Sequence, residues 1–151
     1  MRQIKIKQMK KVFSVRHMPV NIDLILLIAR VVIAGLMLTH GLPKFFSLFS
    51  GEPVQFPSIF GMSPAMSLSL AVFAEVICSL LILLGLGTRL AVIPLIITML
   101  VAVFQIHSAD EFTRKEPGIQ FLLVYVLLLI GGSGKYSLDA LIDRKLNYSK
   151  F

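Results

Sequence analysis

Residues 68–86 read Leu-Ser-Leu-Ala-Val-Phe-Ala-Glu-Val-Ile-Cys-Ser-Leu-Leu-Ile-Leu-Leu-Gly-Leu, with Glu75 the single charge among them. A helix needs roughly 20 mostly apolar residues to cross the ~30 Å hydrocarbon layer of a bilayer, so this stretch reads as a membrane span rather than a core helix. Outward from it, residues 24–38, 90–106 and 119–130 are of the same kind and add only Arg30 to the charges. The last of these reaches spanning length only if Pro117 opens its helix and residues 131–133 continue it. The expected fold is therefore all-α, a four-transmembrane-helix bundle with spans at about 22–42, 64–86, 89–107 and 117–133. It would occupy residues 21–134, between a basic arm (1–20) and an interfacial tail (135–151).

Composition points the same way. Of 151 residues, 56% are hydrophobic and 15% charged, against about 25% charged in soluble domains. The net charge of +7 takes its meaning from where the charges lie. Arg2, Lys5, Lys7, Lys10, Lys11 and Arg16 precede the first span, Lys135, Arg144, Lys145 and Lys150 follow the last, and Arg89 lies between the second and third. The other two loops hold Lys44, Arg114 and Lys115. The positive-inside rule then puts both termini in the cytoplasm, in a multi-pass protein of the cell (inner) membrane. The basic excess is topological, and nucleic acid is not an expected partner because no solvated domain carries a basic face. Membrane lipid is one, and the basic arm either fixes topology or touches anionic headgroups. The first span lacks a small-x-small cleavage site and reads as an uncleaved signal anchor. Cys78 is the one cysteine; with no CxxC, thiol–disulfide exchange is excluded.

Local signals punctuate the bundle. Asn21 or Asp23 can cap the first helix, and Pro43 disturbs its hydrogen-bond ladder near Leu42. An outer segment over 41–63 follows, rich in phenylalanine (Phe45, Phe46, Phe49, Phe56, Phe60), which lies in the interface or folds back over the bundle. Ser63-Pro64 starts the second helix, and Thr88 can cap the third after a tight turn at 85–89. Residues 131–134 break the fourth, and Ser137 caps a short C-terminal amphipathic helix. Without tryptophan, the interfacial belt falls to Tyr125, Tyr136, Tyr148 and the phenylalanines.

Charges inside spans are costly and mark the residues that carry function or register. Counting a ~1.5 Å rise per residue from each span's start, Arg30 and Glu75 reach nearly the same depth on antiparallel neighbours, so a buried ion pair is expected. It would pin helix register or form the polar base of a ligand site or proton path. Met37, Gly41 and Lys44 share the Arg30 face of the first helix, Lys44 only if that helix passes Pro43. Glu75, Cys78 and Ser79 form the matching face of the second. His40, His107 and Gln120 lie near the outer interface and, with Lys44, are the candidate ligand-binding residues. Two histidines on different helices suit hydrogen bonds to quinone carbonyls or the bracketing of haem iron. No second histidine pair or CxxCH is present, which disfavours haem. Zinc would want more donors, and no metal site is expected.

Arg30, then Thr39-His40-Gly41-Leu42-Pro43-Lys44-Phe45, Glu75, Gly87-Thr88-Arg89-Leu90, His107 and Gly132-Ser133-Gly134-Lys135-Tyr136-Ser137-Leu138-Asp139 follow one another in this order. The ordered set resembles the DoxX family of small membrane proteins. Gln120 departs from it, standing where many members carry an acidic residue. The resemblance implies a four-helix membrane protein associated with oxidoreductase systems, some of them thiosulfate:quinone oxidoreductases, others redox-stress complexes or membrane chaperones. The expected function is a membrane subunit of a quinone-linked oxidoreductase system, with a reductant or quinone site at the outer face, catalytic residues unassigned and no covalently bound cofactor. A redox partner subunit and self-association are both compatible with it. A non-enzymatic scaffold, assembly factor or chaperone is the alternative, and a small transporter the second.

Overall fold

The computed structural model describes residues 19–148, and most of the basic arm lies outside them. Five helices follow one another: α1 (Pro19–Leu48), α2 (Pro64–Leu84), α3 (Thr88–Ile106), α4 (Phe112–Gly131) and α5 (Leu138–Tyr148). No strand occurs among the described residues. α2 packs on α1, α3 on α2, and α4 on both α3 and α1, closing an up-and-down bundle. Within α2 the segment Phe73–Cys78 is π-helical, and α3 ends in a second π-helical segment, Ala102–Ile106. The start of α1, the α2–α3 turn, the end of α4 and α5 share one end of the bundle, here the terminal face. The connections after α1 and after α3 form the opposite, loop face.

Three helices are long and apolar enough to cross a membrane: Ile22–Leu48, Pro64–Leu84 and Thr88–Ile106. α4 carries Arg114, Lys115 and Glu116 in its first turns and Gln120 after them, and is largely apolar from Phe121 onward. Burial is inverted relative to a soluble protein. Ile25, Leu90, Phe104, Leu123 and Ile130 face outward, while Arg30, Glu75, Ser79, Thr88 and Tyr125 are buried inside. An exterior this apolar needs hydrocarbon as its solvent, so the chain is an α-helical membrane protein.

Pro43 does not end the first helix. It forfeits a hydrogen bond to the Thr39 carbonyl, but packing holds the turns beyond it. Gly41 lies so close to α2 that an added Cβ would stand 2.9 Å from Val76 Cγ2 and 3.0 Å from the Glu75 backbone. Phe45 and Leu48 then pack on Leu68, Val72 and Val76. The aromatic outer loop therefore begins at Phe49 and divides its rings. Phe56 folds onto that apolar cluster, whereas Phe49 and Phe60 point outward. The Ile59 amide donates to the buried Ser67 hydroxyl at 3.1 Å and ties the loop to α2.

The helix ends show where local signals suffice. Ser63 caps α2 through the Met66 amide at 3.3 Å, with Pro64 in the first helical position. Ser137 caps α5 through the Ala140 amide at 3.1 Å. Thr88 does not cap α3. Gly87, at φ +57°, takes the cap position, and the first amides are satisfied from 52 and 51 residues away in the chain. Gly87 and Thr88 donate to the two carboxylate oxygens of Asp139 at 2.8 and 3.4 Å, and the Asp139 amide donates to the Gly85 carbonyl at 3.0 Å. Asp23 accepts from the Lys135 amide at 3.0 Å and pairs with its ammonium at 3.5 Å. These contacts bind the C-terminal segment across the terminal face.

Candidate functional site

The expected Arg30–Glu75 pair does not form. A helical side chain leans toward the N-terminus of its own helix, and α1 and α2 are antiparallel. Arg30 therefore leans to the terminal face, where its Nη2 donates to the Tyr136 carbonyl and the Asp139 carboxylate supports its charge. Glu75 leans the other way, toward the loop face. Lys44, further along α1, leans back to meet it, and Lys44 Nζ donates to Glu75 Oε1 at 2.5 Å. The ion pair is thus Lys44–Glu75, made possible by the passage of α1 through Pro43 and the absence of a side chain at Gly41.

The Lys44–Glu75 pair divides two cavities. One, of about 270 Å³, opens at the loop face and is lined by His40, Lys44, Glu75, His107, Arg114 and Lys115 over Met37, Met99 and Phe121. The other, of about 460 Å³, lies between α2 and α3 beneath the outer loop. Its walls are apolar (Phe56, Phe60, Phe73, Ile97, Val101), and Lys44 and Glu75 form its charged edge. Both π-helical segments border this divide, since Glu75 belongs to one and Ala102, which lines both cavities, to the other. Segments of this kind occur most often at functional sites. Lys44 Nζ also stands 5.9 Å from the ring centre of Phe56, so a cation–π contact holds its other side.

Of the sequence-derived candidates, the structure brings His40, Lys44 and His107 together with Glu75 on the loop-face cavity, and leaves Gln120 out. Gln120 points outward and donates to Glu116 Oε1 at 3.0 Å. His40 meets Phe121 edge-on, with ring centres 5.8 Å apart. His107 Nδ1 is 2.7 Å from Asp110 Oδ2. That hydrogen bond holds the Asp110 carboxyl below the usual carboxylate range, outside the membrane-spanning helices. Among the described residues no group of three or more His, Cys, Asp or Glu stands within reach of one metal ion.

Tyr125 is a correction of another kind. Expected in the interfacial belt, it is fully buried in the bundle core, stacked on Phe121 with ring centres 6.1 Å apart. Its hydroxyl feels the charge of Glu75 and has no hydrogen-bond partner; nor have Glu75 Oε2 and Ser79 Oγ. The signal in the sequence was a lone hydroxyl in the middle of an apolar stretch. Arg114 and Lys115 were legible only as loop charges and prove to line the cavity.

The DoxX family model matches residues 25–108, which run from the first turns of α1 past the end of α3 and include Arg30, His40, Lys44, Glu75 and His107. The chain belongs to the DoxX family. A related uncharacterized protein of Haemophilus influenzae is 32% identical over 126 residues, 79% of this chain and 83% of that one. No solved structure matches. In this DoxX protein the matched region supplies the ion pair and both histidines. Arg114, Lys115, Tyr125 and Asp139, which complete the cavity and the terminal clasp, lie beyond it.

The re-drawn pair changes what mutation should do. The Lys44 side chain is one-third exposed, so Glu75→Ala lets the ammonium turn to water rather than stranding it. The expected loss is about 1–3 kcal/mol, between the surface and fully buried cases. Arg30→Met should not rescue Glu75→Ala, because the two residues share no partner and distant effects add. Thermal unfolding of the two single variants and the double variant in mild detergent checks both statements.

Proposed function

We propose that this DoxX-family membrane protein is the membrane subunit of a quinone-linked oxidoreductase system, with an anionic reductant held at the loop face and a quinone in the apolar cavity. The carrying observation is the pair of cavities set back to back on Lys44–Glu75, one basic and open at the loop face, the other apolar. An apolar pocket of a few hundred cubic ångströms with a few convergent polar groups is the usual form of a small-molecule site. A quinone ring fits its dimensions, with Lys44 placed to donate to a carbonyl oxygen. The group would supply two-electron chemistry when bound. Glu75 and Lys44 would hold the headgroup and exchange its protons, while Arg114, Lys115 and the two histidines would draw in the anionic donor. Thiosulfate is one donor of that chemistry. The chain itself offers no redox centre among its described side chains, so electrons would pass directly between the two ligands or by way of a partner subunit.

Titration of the purified protein with a short-chain quinone tests this. At a hundredfold excess over the dissociation constant, binding stabilises the fold by about 2.7 kcal/mol, read as a rise in unfolding temperature. Ala71→Trp, which fills the apolar cavity from α2, should abolish the rise. A folded parent that shows no shift at saturating quinone would favour the scaffold or chaperone reading. The orientation in the inner membrane follows from the basic excess at the terminal face, which puts that face in the cytoplasm. Reporter fusions at Arg89 and at the C-terminus should read cytoplasmic, and those at Pro53 and Glu111 external. A C-terminal fusion reading external would overturn it.

A further inference from the structure

We propose that the loop-face cavity takes up a small oxyanion together with one proton, and that Glu75 is the group that receives the proton. The inference rests on the reading of this cavity as the donor site and adds to it the charge balance of binding.

Lys44 is a cation of the cavity wall, and in the structure it is neutralised by Glu75 at 2.5 Å. An oxyanion that approaches Lys44 therefore meets the Glu75 carboxylate as well. Glu75 is 2% exposed, so water does little to screen that repulsion, and an added negative charge in such a place must be balanced. A proton on Glu75 balances it. Before binding the site holds an ammonium and a carboxylate; afterwards it holds an ammonium, an oxyanion and a neutral carboxyl, and the total charge is unchanged.

The interior beside Glu75 holds unpartnered polar groups. Its Oε2 has no hydrogen-bond partner, and the same is true of the Tyr125 hydroxyl on α4 and the Ser79 hydroxyl one turn along α2. All three residues are at most 2% exposed. A carboxylate can only accept, whereas a protonated carboxyl donates, and a hydroxyl oxygen such as that of Tyr125 or Ser79 can receive the bond. Released from Lys44, a protonated Glu75 can donate to a buried hydroxyl, and Lys44 is left for the anion with the Phe56 ring behind it. The other charged or titratable groups that face the site are His40 from α1, His107 from the end of α3, and Arg114 and Lys115 from α4. Any proton that the histidines take up on binding must be separated from that of Glu75.

Sulfate serves as an unreactive probe. Calorimetric titration of the purified protein around neutral pH, in two buffers of different ionisation enthalpy, counts protons taken up per sulfate bound. The expected count approaches one, with affinity rising by about tenfold for each unit fall in pH. The count should persist in the His40→Gln, His107→Gln double variant and be lost when Glu75→Gln is added to it, while sulfate still meets Lys44, Arg114 and Lys115. Tyr125→Phe should weaken sulfate binding severalfold in the otherwise unchanged protein. Sulfate binding by the parent without proton uptake, or equal uptake by the parent and Glu75→Gln, overturns the inference and leaves the donor site standing. Absence of sulfate binding in both folded proteins overturns the donor site itself.

Discussion

Gly85→Ala is expected to be the most damaging single-methyl change in the chain, lowering stability by about 2–5 kcal/mol. Gly85 follows α2 at φ +70°, a conformation that costs an L-residue about 1–2 kcal/mol. Its missing side chain is also the space that Arg30 fills. A Cβ there would overlap Arg30 Nη1 and stand 2.6 Å from the Ser137 Cβ, and overpacking of this kind adds about 1–3 kcal/mol. Neither neighbour can yield cheaply, since Arg30 is bound to the Tyr136 carbonyl and Ser137 is the cap of α5. Gly87→Ala, at φ +57° but with nothing within 4 Å of the added carbon, should cost only the conformational part. Unfolding temperatures of the two variants in one detergent measure the difference, and equal losses would show that the Arg30 contact carries no weight.

The second large effect is expected at Asp139→Ala, about 2–3 kcal/mol. Two losses combine in it. The α3 amides of Gly87 and Thr88 lose the carboxylate that caps them, a change typically worth about 1–2 kcal/mol. Arg30, buried to 1% exposure with Nε and Nη1 unpartnered, loses a carboxylate that acts on it through space. That share is about 1 kcal/mol, smaller than the breaking of a direct buried pair, because Arg30 keeps the Tyr136 carbonyl. The parts can be separated. In an Arg30→Met background Asp139→Ala should cost only its capping share, because a methionine of similar length makes no demand on a carboxylate. A double-mutant cycle that returned no coupling between the two positions would show that Asp139 acts on the helix end alone.

The fold was legible because hydrocarbon demands long apolar runs, and the runs at 24–38, 68–86 and 90–106 meet that demand without help from tertiary context. The site was legible in part. Glu75 announces itself as a charge inside a span, and the sequence places His40, Lys44 and His107 near one end of the bundle. What the sequence hid was direction. Depth counting paired Arg30 with Glu75 as if side chains stood perpendicular to their helices, when antiparallel neighbours send them apart. Other features depended on distant parts of the chain. Asp139 replaces the local cap that Thr88 seemed to offer, the packing at Gly41 carries α1 past Pro43, and burial turns Tyr125 from a belt residue into a neighbour of Glu75. The π-helical segments leave no pattern of their own, since each needs only one extra residue inside an apolar run.

The clasp on the terminal face also sets a schedule. Arg30 belongs to the first helix to be made, yet its carbonyl partner at Tyr136 lies 106 residues later in the chain. At roughly 5–20 residues per second of synthesis, the guanidinium waits on the order of 5–20 seconds for the group that satisfies it. By the later part of that interval the first three helices exist, but the charge between them is unanswered. Closure comes only when the ribosome has passed Asp139. A chain cut short before that point would hold its membrane helices and a buried arginine without the carbonyl that satisfies it.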